Sequence, residues 1–207
     1  MIRPGPGNVH VGRLILRDNG SMAVKGIIIL ILILSLLLAY LSRDSLRSPR
    51  SHGFLRFFAW EFMLAQVLLV VQDWFRNPFA WHQLISWSLL GLSLIPLAFG
   101  VRMLMTRGEA SKSLRREPSL FTFEKTTVLV TNGVYKYIRH PLYGSLLFLS
   151  WGIFFKLPSL LGAILAFCAT LLLIATALAD ERECLAYFGD DYREYMKHSK
   201  RFIPFVM

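Results

Sequence analysis

Residues 26–41, with the sequence GIIILILILSLLLAYL, decide the class of fold. They hold no charged side chain and lie in an apolar segment that runs from about 24 to 41. A transmembrane helix needs about 20 mostly apolar residues, so this segment has close to the length of one membrane span. Four more apolar segments follow at about 54–71, 84–105, 142–155 and 157–179. The pattern predicts an all-α, polytopic helical membrane protein with about five transmembrane helices.

The composition points to the same class. Of the 207 residues, 55% are hydrophobic and only 17% are charged, and the mean hydropathy is +0.49. A soluble domain with so few charges would expose large apolar patches. The composition also excludes a disordered chain, a collagen-like chain and a disulfide scaffold. The two cysteines, Cys168 and Cys184, show neither a disulfide pattern nor metal-ligand spacing, so we expect no metal site.

The basic residues predict an orientation in the membrane. The formal net charge is +10. Lys and Arg are concentrated in the loops after the first and third apolar segments and in the C-terminal tail, whereas the alternate connections hold only Arg76 and Lys156. The positive-inside rule then places the C-terminus in the cytoplasm and the N-terminus outside. Because the basic residues are spread over loops, we assign the charge to orientation and anionic lipid rather than to nucleic acid.

The chain divides into three parts. Residues 1–21 carry arginines that fit poorly outside the membrane, and Met22 is a plausible start, so we expect an unstructured N-terminal extension. Residues 22–125 form the N-terminal transmembrane helices and a cytoplasmic loop. Residues 126–207 form a core made of a motif loop, a helical hairpin and a C-terminal tail. A proline is tolerated in the first turn of a helix, so Pro158 is compatible with a tight turn between the fourth and fifth segments.

Two polar segments flank this hairpin and should therefore meet at one membrane face. They are residues 126–145, TTVLVTNGVYKYIRHPLYGS, and residues 180–204, DERECLAYFGDDYREYMKHSKRFIP. Arg139 and His140 precede a helix that begins at Pro141, which is a good place for an anion; contact with lipid phosphate is the alternative. Asp180 and Glu181 stand at a helix C-terminus, where carboxylates oppose the dipole. A cationic or hydroxyl-rich partner would explain them, and a solvated helix end is the alternative.

Other polar and aromatic residues are interpreted structurally. His52 and His82 fall in predicted loops, and we expect both at the surface. Phe188, Tyr192 and Tyr195 share one helical face, and such a stripe is more often packing than a binding cage.

The two polar segments together resemble the isoprenylcysteine carboxyl methyltransferase and phospholipid methyltransferase superfamily. The resemblance rests on LVTNGVYKYIRHPLY, an apolar hairpin, and the pattern DExxxLxxFGxxYxxYxxxxxRFIP, over roughly residues 126–204. It implies a helical membrane enzyme whose C-terminal part binds S-adenosylmethionine at the cytoplasmic face and methylates a lipid or lipid-linked acceptor. Thr176 stands where the isoprenylcysteine enzymes have an arginine implicated in binding the substrate carboxylate, and the acceptor itself is left open.

The resemblance also implies a set of site residues. Arg139 would steady an anionic group and Glu181 would orient or accept a proton, so these two are the catalytic candidates. The cofactor would be held by a larger set: Thr127, Val128, Leu129, Val130, Tyr135, His140, Pro141, Leu142, Tyr143, Asp180 and Glu181.

Two other functions are considered. The membrane sterol and steroid reductases, which use NADPH, share an RHPxY element, but Leu142 and Leu146 replace the Asn and Glu of their motif RHPNYxGE. A non-enzymatic membrane scaffold is the second alternative, although a scaffold does not require Asp-Glu beside Arg-His.

Overall fold

The structure is a computed structural model that describes residues 25–49, 51–109 and 124–202. This part of the chain is helical and holds no β-strand, which confirms the all-α prediction. The expected N-terminal extension, residues 1–21, lies outside the described residues. The helices are α1 (Lys25–Leu41), α2 (Arg43–Leu46), α3 (His52–Val70), α4 (Trp81–Arg107), α5 (Pro141–Phe154), α6 (Leu160–Phe188) and α7 (Asp190–His198).

Three of these helices are long and apolar enough to cross a membrane. They are α3 with its 3-10 extension (His52–Asp73), α4 and α6, which have 22, 27 and 29 residues. The described part of α1 and the 14 residues of α5 are apolar but shorter. At 1.5 Å per residue, α5 measures about 21 Å, less than the roughly 30 Å of a bilayer core. The structure therefore supports three spans, and full crossings by α1 and α5 stay predictions.

Helices α4 and α5 run antiparallel and pack closely through two glycines. A Cβ added at Gly100 would contact Pro141 at 3.1 Å, and one added at Gly152 would come within 2.9 Å of Leu90. The Ser86 hydroxyl donates to the Gly152 carbonyl at 2.7 Å. Helices within lipid associate through small residues and interhelical hydrogen bonds of this kind. The contacts place the C-terminal end of α4 beside the N-terminal end of α5.

Helix α3 is fastened to α6 by a buried histidine. His52 is fully buried, its Nδ1 lies 2.7 Å from Glu183 Oε2, and its main-chain amide donates to Glu183 Oε1 at 3.0 Å. The expectation of an exposed loop residue was wrong, because His52 is the first residue of α3 and the Glu183 carboxylate caps the amide there. His82 is also partly buried, with Nδ1 3.1 Å from the Phe155 carbonyl.

Lys156 connects the turn between α5 and α6 to helix α4. This residue is fully buried in the turn between α5 and α6. Its Nζ donates to Gln83 Oε1 at 3.1 Å and lies 3.1 Å from the centre of the Trp87 ring. A desolvated ammonium over an indole face is a favourable cation–π contact. These contacts hold the turn against α4. The polar motifs lie at the other end of the helix bundle.

Candidate active site

The C-terminal tail runs parallel to the loop before α5 and hydrogen-bonds to it. The Lys200 amide donates to the Tyr137 carbonyl at 2.9 Å, the Arg139 amide to the Lys200 carbonyl at 2.7 Å, and the His140 amide to the Arg201 carbonyl at 3.1 Å. These bonds bring together two segments that are about 60 residues apart in sequence. The main chain of the tail therefore holds the Arg-His motif in place.

Glu181 is the centre of a buried charge cluster. Its side chain is 6% exposed. Arg139 Nε donates to Glu181 Oε1 at 3.0 Å, and Arg201 donates to both carboxylate oxygens, at 3.0 and 2.8 Å. Arg139 Nη1 also donates to the carbonyls of Met196 and Ser199. Both residues predicted to be catalytic, Arg139 and Glu181, are thus engaged with each other and with the tail.

His140 bridges the two consecutive carboxylates of α6. Its Nδ1 lies 3.4 Å from Asp180 Oδ2, and its Nε2 lies 3.4 Å from Glu181 Oε1. Burial disfavours the charged imidazole, but hydrogen bonds that its ring N–H groups donate to Asp180 and Glu181 outweigh this effect, so the pKa of His140 is raised above its ordinary value. The ring also stacks on Tyr143, with centroids 5.4 Å apart. The imidazole therefore links the loop to α6, and these contacts favour its charged form.

A cavity of about 90 Å³, partly open to the outside, lies beside this cluster. Carboxylate, hydroxyl and aromatic groups share its wall with aliphatic side chains. It is lined by Leu104, Glu124, Thr126, Leu129, Val130, Tyr135, Arg139, His140, Pro141, Leu142, Tyr143, Asp180, Cys184, Phe188, Tyr192 and Tyr195.

Most residues predicted to bind a cofactor line this cavity, but three do not. Thr127 donates its hydroxyl to the Glu109 carbonyl at 2.8 Å, and Val128 is 44% exposed. Glu181 belongs to the charge cluster described above. The cavity does take in the other predicted residues: Leu129, Val130, Tyr135, His140, Pro141, Leu142, Tyr143 and Asp180.

The aromatic stripe interpreted as packing also lines the cavity. Asp180, Cys184 and Phe188 follow one another at intervals of four along α6, and α7 adds Tyr192 and Tyr195. Residues four apart share one face of a helix. This spacing was the signal in the sequence that could have joined the stripe to the acidic motif, and the packing interpretation missed it.

The tyrosines of the wall are neutral. Burial raises the pKa of Tyr135, Tyr192 and Tyr195 above the ordinary phenol value. The Tyr195 hydroxyl donates to the Tyr135 carbonyl at 2.6 Å, which joins α7 to the loop. Neutral aromatic faces next to the Asp180 carboxylate make a site suited to a ligand that carries positive charge.

The remaining wall is anchored on the end of α4. The amides of Thr127 and Val128 both donate to the Gly108 carbonyl, at 2.9 and 3.3 Å. Leu129 and Val130, which follow directly, face the cavity. The position of this wall is therefore set by the last residues of α4.

The family model of phospholipid methyltransferases matches residues 88–189, just under half of the chain. This part of the chain is similar to the phospholipid methyltransferase family. The matched region contains all of α5 and α6, most of α4 and most of the cavity lining. It confirms the resemblance to the membrane methyltransferase superfamily that the motifs predicted. Comparisons with curated proteins and with solved structures found no match.

Proposed function

We propose that this methyltransferase uses S-adenosylmethionine to methylate a lipid or lipid-linked acceptor at the cytoplasmic membrane face. One observation carries the proposal. The family region folds around a cavity that combines the Asp180 carboxylate with tyrosine faces, at one end of helices long enough to span a membrane. A polar donor could reach this cavity from water, and a lipid could reach it from the bilayer.

The residues present fit the cofactor. S-adenosylmethionine carries a sulfonium, an amine, a carboxylate, ribose hydroxyls and an apolar base. Asp180 would bind the amine or the ribose hydroxyls, and Tyr135 would pack on the cofactor. Leu129 and Val130 would contact its apolar part. The N-terminal end of α5, from His140 to Tyr143, would hold the amino-acid end, because a helix N-terminus favours a carboxylate.

The chain's own contribution to the reaction is alignment and dehydration. The bound cofactor supplies an electrophilic methyl group, whose transfer needs the nucleophile in line at about 3–3.5 Å. Aromatic and aliphatic side chains around the cavity exclude water, which favours a reaction in which charge is dispersed. Before the transfer, the tyrosine faces can hold the positively charged sulfonium of the cofactor.

We assign positioning roles to Arg139 and Glu181. Their contacts with each other, with Arg201 and with the tail keep the loop and α6 together. Direct catalytic roles for the two remain predictions that the contacts do not favour. We likewise assign Thr127 and Val128 to anchoring the wall on α4, and leave Leu129 and Val130 to contact the cofactor.

The proposal is tested on the purified protein in lipid nanodiscs. S-adenosylmethionine and NADPH are titrated separately by calorimetry, and labelled-methyl transfer into a total lipid extract identifies the acceptor. Asp180→Asn should weaken S-adenosylmethionine binding by about tenfold or more, because a charge-assisted hydrogen bond is lost. Glu181→Gln should instead lower the unfolding temperature, because two guanidinium groups lose a buried partner at a cost of about 3 kcal/mol.

Asp191→Asn is the matched control, because Asp191 is exposed on α7. It should change neither binding nor the unfolding temperature. Binding of NADPH instead of S-adenosylmethionine, or wild-type affinity in Asp180→Asn, would contradict the proposed function.

A further inference from the structure

Arg56 is a buried cation in a membrane-length helix. The residue is 4% exposed within α3. Its guanidinium lies 5.2 Å from the centre of the Trp60 ring, and Nη1 donates to both carboxylate oxygens of Glu124, at 2.9 and 3.0 Å. Such a pair adds little net stability, because both charges lose their hydration on burial. A functional role for this ion pair in the surroundings of Glu124 would explain why it is present.

Glu124 stands in the wall of the methyl-donor cavity. Its side chain is 11% exposed and lines the cavity together with Asp180 and Tyr143. Its carbonyl accepts a hydrogen bond from the Thr126 amide at 2.7 Å. The residues that follow include the cavity-lining Thr126, Leu129 and Val130. Glu124 therefore stands at the beginning of this wall, directly before the part that the amides of Thr127 and Val128 anchor on α4.

The pair joins two regions of the chain. Arg56 lies before the family region at 88–189, whereas Glu124 lies within it. Apart from the two α7 tyrosines, the residues described as lining the cavity come from the family region. Through Arg56, the N-terminal half therefore reaches a cavity that the C-terminal half builds.

We propose that Arg56 is a positioning residue for methyl transfer, which acts through Glu124 to hold the cavity wall in place. The inference rests on the proposed function for its catalytic consequence. Asp180 and Glu124 place two carboxylates in one cavity, and like charges repel. The guanidinium balances Glu124. Without Arg56, the Glu124 carboxylate would turn away from the buried position, and the wall from Thr126 onward would move with it.

The geometric part is tested by the reactivity of Cys184, which also lines the cavity. The chain has two cysteines, so Cys168→Ala leaves Cys184 as the only thiol. In this background, Arg56→Met and Glu124→Gln should each raise the rate of maleimide labelling by about tenfold, which is in the range of coupling between contacting residues. Arg47→Met is the control, because the Arg47 side chain is 81% exposed, and it should label at the background rate.

The functional part is tested by methyl-transfer kinetics on the same variants. Arg56→Met and Glu124→Gln should each raise KM for S-adenosylmethionine by about tenfold, and the double variant should be no worse than either single variant. Arg56→Lys should restore part of the affinity, because lysine supplies the charge without the planar fork. Unfolding temperatures of all variants separate a shifted wall from a failure to fold.

The outcomes distinguish the two proposals. A wild-type protein that neither binds nor uses S-adenosylmethionine would end the proposed function, and Cys184 labelling would still report on the wall. Unchanged labelling in the Arg56→Met and Glu124→Gln variants would overturn the positioning role, as would losses that add in the double variant.

Discussion

Asp180 and Glu181 are adjacent in sequence, but their side chains lie in different surroundings. Consecutive residues of a helix point about 100° apart, so the two carboxylates point in different directions. Asp180 lines the cavity, whereas Glu181 binds Arg139 and Arg201. His140 contacts both. The acidic pair therefore combines a group that faces the cavity with a group that holds the fold together.

The charge state of His140 gives a pH dependence. Because its pKa in the folded protein is raised above the ordinary value of 6.5, its ion pairs stabilise the fold fully below pH 6.5. This stabilisation is lost as the pH rises through the folded-state pKa. We expect the difference in unfolding temperature between wild type and His140→Gln to be largest at pH 5.5–6.5 and to shrink toward pH 9, as measured by thermal melts in detergent.

Comparison with His140→Gln removes the contribution of other titrating groups, because they are common to both proteins. A difference that grows as the pH rises would show that the imidazole is not held charged between the two carboxylates.

The end of α4 sets the wall of the site through one glycine. A Cβ at Gly108 would overlap the Thr126 side chain and the Leu104 carbonyl. The Gly108 φ of −84° is allowed for any residue, so the restriction is steric and not conformational. The contact lets the chain after residue 124 lie directly on α4.

Gly108→Ala should therefore displace Thr126 and the residues after it. We expect a loss of about 1–3 kcal/mol in the free energy of unfolding and weaker binding of S-adenosylmethionine, measured by denaturation and calorimetry. Gly91→Ala is the matched control in the same helix, because a Cβ there meets no atom within 4 Å. Equal behaviour of the two variants would show that the wall does not depend on this contact.

Across the whole molecule, the charged motifs gather at one end of the bundle and the Lys156 turn at the other. Helix α3 ends near the α3–α4 connection that holds the exposed Arg76, while α7 follows the site end of α6. A membrane around the apolar helices would therefore separate Arg76 from α7. The positive-inside rule predicts that α7 lies on the cytoplasmic side.

The topology is tested with single cysteines in a Cys168→Ser, Cys184→Ser background. Arg76→Cys should react with a membrane-impermeant thiol reagent added to intact cells. Lys197→Cys, at an exposed position of α7, should react only after permeabilisation. Labelling of both positions from the same side would rule out a membrane crossing between them.

The sequence by itself determined the helical membrane class and the two motif segments. Apolar segments long enough to span a membrane favour helices, because every main-chain polar group must be hydrogen-bonded within lipid. The motif spacing also predicted that Arg139–His140 and Asp180–Glu181 would meet, since a hairpin returns the chain to the same end.

Only the tertiary structure decided which motif residues face the cavity and which residues join them. The direction of each side chain depends on the rotation of α6 against its neighbours, which local sequence does not set. The same packing brings in Arg56 and Glu124, 68 residues apart, and buries His52 against Glu183. Such pairs are set by how helices pack in space, whereas the patterns read from the sequence report only the periodicity within each helix.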